Sequence, residues 1–125
     1  IIHILQSSVS IYQSNIPKFL KVMDIFCLLS CGSEGFGNVN LEAEFLKIPV
    51  ITTNIGGIPE TIKDGVTGFL IEPRNVDMII SSVKKLVENK EYAKNMGLEG
   101  HKFVKETFSK QKFVENLTNI YESIL

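Results

Sequence analysis

The fold is decided by residues 24–53, which read DIFCLLSCGSEGFGNVNLEAEFLKIPVITT. An apolar run at 24–29 is followed by a turn rich in glycine, a helix-forming stretch at about 38–47 and a second apolar run at 48–53. Uninterrupted apolar runs of this length are typical of parallel strands that are covered on both faces. The order strand, turn, helix, strand therefore predicts one unit of an α/β domain with a parallel sheet.

The segments on either side extend this alternation. Apolar stretches at 1–5 and 68–71 predict two further strands, and a short helix is expected from Ile16, with Asn15 as its cap. After Asn75, residues 76–87 have the apolar spacing of a helix, and further helices are expected at 91–106 and after Ser109. The predicted fold class is α/β, a Rossmann-like parallel sheet of about four strands flanked by helices and ending in C-terminal helices.

Composition excludes several classes of protein. The 125 residues are 44% hydrophobic, and 13 basic side chains against 14 acidic ones leave a net charge of -1, so nucleic acid is not an expected partner. No apolar run approaches the ~20 residues of a membrane-spanning helix, and no transmembrane segment is expected. Because the chain begins at Ile1 and four strands make a small sheet, we expect a single domain over residues 1–125 that is incomplete at its N-terminus.

Cysteine and histidine spacing predicts no metal site. Cys27 and Cys31 lack the second pair of ligands that zinc requires, and both are interpreted as buried, small hydrophobic side chains in a reducing cytosol. His3 and His101 have no partner at ligand spacing and are interpreted as structural or surface residues. Neither a metal nor another cofactor is predicted.

The glycine turn, residues 32–38, is the candidate binding element. Ligands of open α/β sheets bind at the carboxyl ends of the strands, often where a glycine-rich turn begins a helix. Gly35 and Gly37 permit close approach of the backbone, and the helix that follows presents unpaired N–H groups to an anion. No Gly-Lys-Ser/Thr sequence follows, which excludes a P-loop.

Two acidic residues accompany this turn. At roughly 100° per residue, Glu42 lies about 10° from the centre of the apolar arc of the helix, while Asn40, Glu44 and Lys47 define its outer face. Because an ionised carboxylate does not enter a core unpaired, Glu42 is interpreted as an acceptor for ligand hydroxyls, with Glu34 as a second acceptor in the same cleft. The alternatives are a helix that is amphipathic in the other sense, or a Glu42 that caps nearby backbone N–H groups.

Two carboxylates and a set of backbone donors suit a ligand that has both hydroxyls and phosphates, such as a nucleotide sugar. The sequence EGFGNVNLEA at 34–43 closely resembles the E-x7-E signature of the retaining family-4 glycosyltransferases, which have the GT-B fold. The similarity continues in MDIF at 23–26, IPVITTNIGGIPE at 48–60 and DGVTGFL at 64–70, and it includes Phe108 and Ser109. It extends in unbroken order over about residues 15–125.

The resemblance implies a role for each residue of the signature. Glu34 is the candidate catalytic residue and would contact hydroxyls of the donor sugar, while Glu42 would bind the ribose hydroxyls of the nucleotide. The remaining candidate donor-binding residues are Gly35, Phe36, Gly37, Asn38 and Val39, with the amides of 36–38 facing the sugar and diphosphate. Retention in the family is ascribed to a front-face mechanism in which the donor phosphate helps to deprotonate the acceptor, generally without a metal.

The expected function is therefore retaining transfer of a hexose from a nucleotide diphosphate sugar to a glycan or lipid-linked acceptor. The alternatives are a non-catalytic nucleotide-sugar-binding module and a GT-B relative with other chemistry, such as a phosphorylase or epimerase. A cytoplasmic location is expected, with peripheral membrane attachment of the full-length protein left open. The base, sugar, acceptor, linkage and oligomeric state do not follow from the sequence.

Some segments depart from the family pattern. Residues 5–12 do not resemble the usual glycine-containing turn, and Asn15 stands where an Asp is common. The acceptor-binding half and the basic residues that neutralise the diphosphate would lie upstream, so the isolated chain is expected to lack transferase activity. Gly56 and Gly57 are interpreted as a tight turn beside the site, and Glu60 and Asp64 as capping and turn residues.

Overall fold

A computed structural model describes residues 16–124, except for the side chains of Ile16 and Pro17. The predicted strand at 1–5, the Asn15 cap and His3 lie outside the described residues. The elements in chain order are α1 (Ile16–Leu20), β1 (Phe26–Leu28), α2 (Asn38–Phe45), β2 (Val50–Thr53), the 3-10 turn η1 (Ile58–Thr61), β3 (Gly68–Ile71), α3 (Val76–Glu88), α4 (Lys90–Thr107) and α5 (Lys110–Ile124).

The sheet of the described residues is parallel and has the order β1-β2-β3. Phe26 lies opposite Val50, and Val50 lies opposite Gly68. The predicted α/β class, the parallel sheet and the helical C-terminal part are confirmed. Three strands of the sheet are seen in the part of the chain that the structure describes.

Apolar side chains cover both faces of this sheet. One core cluster contains Leu20, Phe26, Ala43, Ile48, Val50 and Ile62, and the other contains Ile25, Cys27, Ile51, Ile71, Leu86 and Met96. Successive strand residues point to opposite faces, so a strand that is buried on both sides reads as a continuous apolar run. This burial explains why the runs at 24–29 and 48–53 lack polar alternation.

Side-chain caps set the starts of three helices. Asn75 Oδ1 accepts a hydrogen bond of 3.0 Å from the Met78 amide, and Ser109 Oγ accepts one of 3.2 Å from the Lys112 amide, as predicted for α3 and α5. Asn89 caps α4 in the same way, at 2.9 Å from the Tyr92 amide. Each cap satisfies an N–H group that has no partner within its helix.

Two glycines allow α4 to pack closely against α2 and the chain that follows it. A Cβ on Gly97 would lie 2.1 Å from the carbonyl oxygen of Lys47, and a Cβ on Gly100 would lie 3.1–3.5 Å from side-chain atoms of Glu44. Glycine weakens a helix by roughly 1 kcal/mol relative to alanine. The contact with α2 accounts for the two glycines in the middle of this helix.

The two cysteines occupy different environments. Cys27 is buried in β1, as predicted, but the prediction that Cys31 is also buried is wrong. The strand ends at Leu28, so Cys31 already belongs to the turn that leaves the sheet.

Between residues 16 and 124, no helix combines the length and apolar character needed to cross a membrane.

We expect Gly97→Ala to lower the free energy of unfolding by about 1–3 kcal/mol, because the new methyl group meets backbone that cannot move freely. Gly100→Ala is the matched control, since it brings the same gain in helix propensity but meets the side chain of Glu44 at a longer distance. Urea denaturation followed by circular dichroism measures both. A Gly97→Ala variant at least as stable as Gly100→Ala would contradict this packing.

Candidate functional site

Glu34 is held at the carboxyl edge of the sheet. It lies in the glycine turn between β1 and α2, where its side chain is partly buried. Ser30 Oγ donates a hydrogen bond of 2.9 Å to Glu34 Oε2, and Thr53 Oγ1, at the end of β2, donates one of 2.8 Å to the Ser30 carbonyl. The carboxylate is therefore oriented by residues that leave two adjacent strands.

A second loop presses on the same backbone. We call Gly56 and Gly57 the double-glycine turn; the Gly57 amide donates a hydrogen bond of 2.7 Å to the Gly35 carbonyl. A Cβ on Gly56 would lie 2.0 Å from the Glu34 carbonyl oxygen, and one on Gly57 would lie 2.8 Å from that of Gly35. Gly56 also has a φ of 53°, which favours glycine. The interpretation of these glycines as a tight turn is confirmed, and this turn lies against the glycine turn.

The start of α2 leaves its first amides open. Gly37 precedes the helix with a φ of 76°, no side chain caps it, and its first turn has no acidic residue. Asn38 is exposed, whereas the side chain of Val39 packs against the core. The N-terminal end of a helix with free N–H groups attracts negative charge. This end of α2 can therefore receive an anion through its backbone.

Phe36 anchors the glycine turn from the other side. Its ring makes an edge-on contact with Phe108, with ring centroids 5.8 Å apart, and Phe108 makes a similar contact with Phe103 at 5.5 Å. The ring thus points to the junction of α4 and α5. The backbone of Phe36 is the part that leads into the helix start.

The face of α2 that packs on the sheet differs from the predicted one. Asn40 and Glu44, predicted to lie on the outer face, are fully buried, whereas Glu42, predicted near the centre of the apolar arc, is exposed. The predicted burial of Glu42 is wrong, and the buried side of α2 carries polar as well as apolar residues. Asn40 is accommodated because its Nδ2 donates hydrogen bonds to Thr61 Oγ1 at 3.2 Å and to Thr52 Oγ1 at 3.4 Å. The predicted exposure of Lys47 is confirmed.

Glu44 is the buried acid of this helix. Neither of its carboxyl oxygens has a hydrogen bond of ordinary geometry among the described residues. Burial raises the pKa of Glu44 from 4.5 to about 8, although the nearby Thr67 hydroxyl acts in the opposite direction. The group is consequently protonated in the folded protein at neutral pH, which avoids burying an unpaired charge.

Glu42 stands one helical turn after Asn38 on the exposed side of α2. Residues four apart in a helix share a face, so Glu42 continues the side that begins at the glycine turn. No hydrogen bond joins it to Glu34 within the described chain. The structure thus brings Glu34 and Gly35 together with the double-glycine turn, and it places Glu42 farther along the helix.

A separate cavity of about 540 Å³ lies at the opposite edge of the sheet. It is lined by the residues before β1 and β2, with the end of α3 and the start of α4, and includes Lys47, Lys90 and Lys94. We call it the amino-edge cavity; it contains none of the predicted site residues. In residues 16–124 no three His, Cys, Asp or Glu side chains are grouped so as to hold a metal ion.

The fold and the site together define an α/β domain with an anion-receptive helix start at the carboxyl edge of its sheet. A family model, glycosyl transferases group 1, matches residues 5–103, and the chain belongs to this family. The capsular polysaccharide biosynthesis glycosyltransferase CapM of Staphylococcus aureus is 36% identical over 108 residues, covering 86% of this chain and 28% of the relative. Human alpha-1,3/1,6-mannosyltransferase ALG2 is 35% identical over 127 residues, covering 96% of this chain and 30% of the relative.

Solved structures agree with this assignment. The C-terminal domain of the glycosyl transferase group 1 protein LpcC from Francisella tularensis superposes with a TM-score of 0.73 at 31% identity, covering 82% of this chain and 52% of that one. TarM from S. aureus, solved in complex with UDP, superposes with a TM-score of 0.76 at 27% identity over 88% of this chain and 22% of its own. The chain spans less than a third of the length of the curated relatives described above.

Sequence reasoning missed the residues that support Glu34. The sequence pattern does not single out these residues: Ser30 follows the end of β1, and Thr53 is the last residue of β2. One residue of the sequence could have indicated the burial of Glu44. This residue is Gly100, which leaves space on α4 for the Glu44 side chain.

We expect Glu44→Gln to stabilise the protein increasingly as the pH rises from about 4.5 to about 8. The pKa of Glu44 is higher in the folded state, so the stability linked to its protonation is complete below pH 4.5 and is lost as pH rises through about 8. Glutamine keeps the shape of the protonated acid and has no proton to lose as the pH rises. Urea denaturation across this pH range measures the difference between variant and wild type.

The matched control is Glu122→Gln, because Glu122 is exposed on α5. It should leave the pH dependence of the free energy of unfolding unchanged. A wild type and a Glu44→Gln variant that lose stability in parallel over this range would show that Glu44 is not protonated in the folded state.

Proposed function

We propose that this chain is the donor-binding domain of a retaining glycosyltransferase, which takes a hexose from a nucleotide diphosphate sugar. One observation carries the proposal: the Glu34 carboxylate is fixed at the carboxyl edge of the sheet, directly before an α2 start with uncapped amides. An acceptor of hydroxyl hydrogen bonds beside a receptor for phosphate matches the two halves of such a donor. Family membership supports the same conclusion.

Each residue would act on one part of the donor. The Glu34 carboxylate would accept hydrogen bonds from hydroxyls of the sugar. The backbone at Gly35 and Phe36 would pass along the edge of the sugar. The amides of Phe36, Gly37 and Asn38 would face the diphosphate. Helix N-termini bind phosphate groups by this combination of free N–H groups and dipole.

Glu42 and Val39 would complete the donor site. Glu42 is exposed on the side of α2 that continues from Asn38, and in our proposal it accepts hydrogen bonds from the ribose hydroxyls. Val39 would contribute its backbone, because its side chain packs into the core. TarM, solved in complex with UDP, supports a nucleoside diphosphate as the shared part of the ligand.

Catalysis in this proposal depends on placing charge and reactants rather than on a protein acid or base. The acceptor hydroxyl would attack the anomeric carbon on the face of the leaving group, the bond from that carbon to the phosphate oxygen would break, and the hydroxyl proton would pass to the released phosphate. Glu34 would hold the sugar during this exchange. We propose that neither a metal nor another cofactor takes part, which titrations in EDTA test.

The acceptor, a glycan or a lipid-linked glycan in our proposal, would be bound by parts of a longer protein outside these 125 residues. The relatives named above are more than three times as long as the matched segment, which leaves room for such a part. We therefore expect the 125-residue chain to bind donor without transferring sugar. Sugar transfer to an added glycan by this chain alone would contradict the proposed division.

Isothermal titration with UDP, UDP-glucose, GDP, GDP-mannose and inorganic phosphate tests donor binding. We expect one sugar nucleotide to bind more tightly than its own diphosphate and much more tightly than phosphate. Glu42→Gln should weaken the diphosphate and the sugar nucleotide equally, by about tenfold, while Glu34→Gln should weaken only the sugar nucleotide, because a hydrogen bond to a charged acceptor is worth roughly 1.5–3 kcal/mol.

Glu122→Gln serves again as the control and should change neither affinity. The proposal is wrong if a folded wild-type chain binds every sugar nucleotide no more tightly than inorganic phosphate. Turnover of donor by a longer protein containing this chain would separate a transferase from a module that only binds the nucleotide sugar.

A further inference from the structure

We propose that Ser30 is a positioning residue for the donor sugar, because its hydroxyl orients the carboxylate of Glu34. This inference rests on the proposed function, in which Glu34 contacts the sugar. Ser30 itself need not touch the donor. Its role would be to decide which oxygen of Glu34 remains available and in which direction that oxygen points.

The hydrogen bonds around Ser30 form a short chain from β2 to the carboxylate. Thr53 Oγ1 donates to the Ser30 carbonyl at 2.8 Å, and Ser30 Oγ donates to Glu34 Oε2 at 2.9 Å. Thr53 is 1% exposed, so its hydroxyl is fixed by the core of the sheet. One residue earlier in β2, Thr52 Oγ1 donates to the Leu28 carbonyl at 3.0 Å and fixes the end of β1.

Two anchors therefore act on different parts of the glycine turn. The hydrogen bond from Gly57 to Gly35 holds the backbone, and the hydrogen bond from Ser30 holds the side chain of Glu34. A glutamate side chain rotates about three bonds. If that rotation is already restricted before binding, less conformational entropy is lost when the ligand binds. With one lone pair of Oε2 occupied by Ser30, Oε1 is the oxygen with both lone pairs left for sugar hydroxyls.

A positioning role of Ser30 and a purely structural role have different effects on binding. A structural defect at the end of β1 would disturb the whole edge of the sheet and weaken diphosphate and sugar binding together. A positioning role acts only through Glu34. It therefore changes the contribution of the sugar to the binding free energy and leaves the contribution of the diphosphate unchanged. The ratio of the Kd of the diphosphate to the Kd of its sugar nucleotide reports that contribution; we call it the sugar ratio.

The experiment measures the sugar ratio by isothermal titration on the 125-residue chain, with UDP against UDP-glucose and GDP against GDP-mannose. We expect Ser30→Ala to lower the sugar ratio about tenfold without changing the Kd of the diphosphate. Ser30→Thr, which keeps the hydroxyl, should retain most of the ratio. Ser81→Ala, on the exposed side of α3, is the matched control and should behave as the wild type.

A double-mutant cycle gives the sharper test. If Ser30 acts through Glu34, then Ser30→Ala has no further effect on the sugar ratio once Glu34→Gln is present. Thr53→Val removes the hydrogen bond to the Ser30 carbonyl and should lower the ratio in the same direction. That variant keeps the inference testable if Ser30→Ala does not fold.

Three results overturn the positioning role. A sugar ratio that is unchanged in Ser30→Ala, an equal loss of diphosphate and sugar-nucleotide affinity, or additive effects of Ser30→Ala and Glu34→Gln would each refute it while leaving the proposed function in place. Absence of any sugar-nucleotide preference in the folded wild type is a distinct result, because it overturns the proposed function and this inference together.

Discussion

The site depends on one close approach between two loops. The double-glycine turn lies against the glycine turn with an amide-to-carbonyl hydrogen bond of 2.7 Å, and a methyl group on Gly56 or Gly57 would lie 2.0 or 2.8 Å from a carbonyl oxygen. This contact fixes the position of the Glu34 backbone relative to the sheet. Side-chain hydrogen bonds can orient the carboxylate only because that backbone stays fixed, so the loops after β1 and β2 form one unit.

Local patterns in the sequence predicted most of the fold. The strand at 68–71 has its predicted bounds, and Asn75 and Ser109 cap the helices that were expected after them. These features depend on residues near each other in the chain, such as a capping side chain and the amide three residues later. The glycine turn was also placed correctly between β1 and α2, because its glycines stand directly after an apolar run and before a helix-forming stretch.

The faces of α2 could not be predicted because they depend on distant residues. A helical projection treats Asn40 and Glu44 as polar and assigns them to solvent. In the fold, Thr52 and Thr61 supply hydrogen-bond partners for Asn40, and Gly100 leaves space for a protonated Glu44. Glu42 then faces solvent, so its burial is no longer a reason to expect that it binds ligand hydroxyls. Its proposed role in ribose binding rests on the family signature and on its position along the exposed side of α2.

A ligand could bind at either of two edges of the sheet, and we assign the donor to the carboxyl edge rather than to the lysine-lined amino-edge cavity. Titration of the ¹⁵N-labelled chain with UDP-glucose or GDP-mannose, followed by backbone amide shifts in NMR spectra, compares the two directly. We expect the larger shifts at residues 34–42, 56 and 57, with little change at 23–25, 47, 48 and 90–94. Shifts concentrated at the cavity residues, with the glycine turn unaffected, would contradict this assignment.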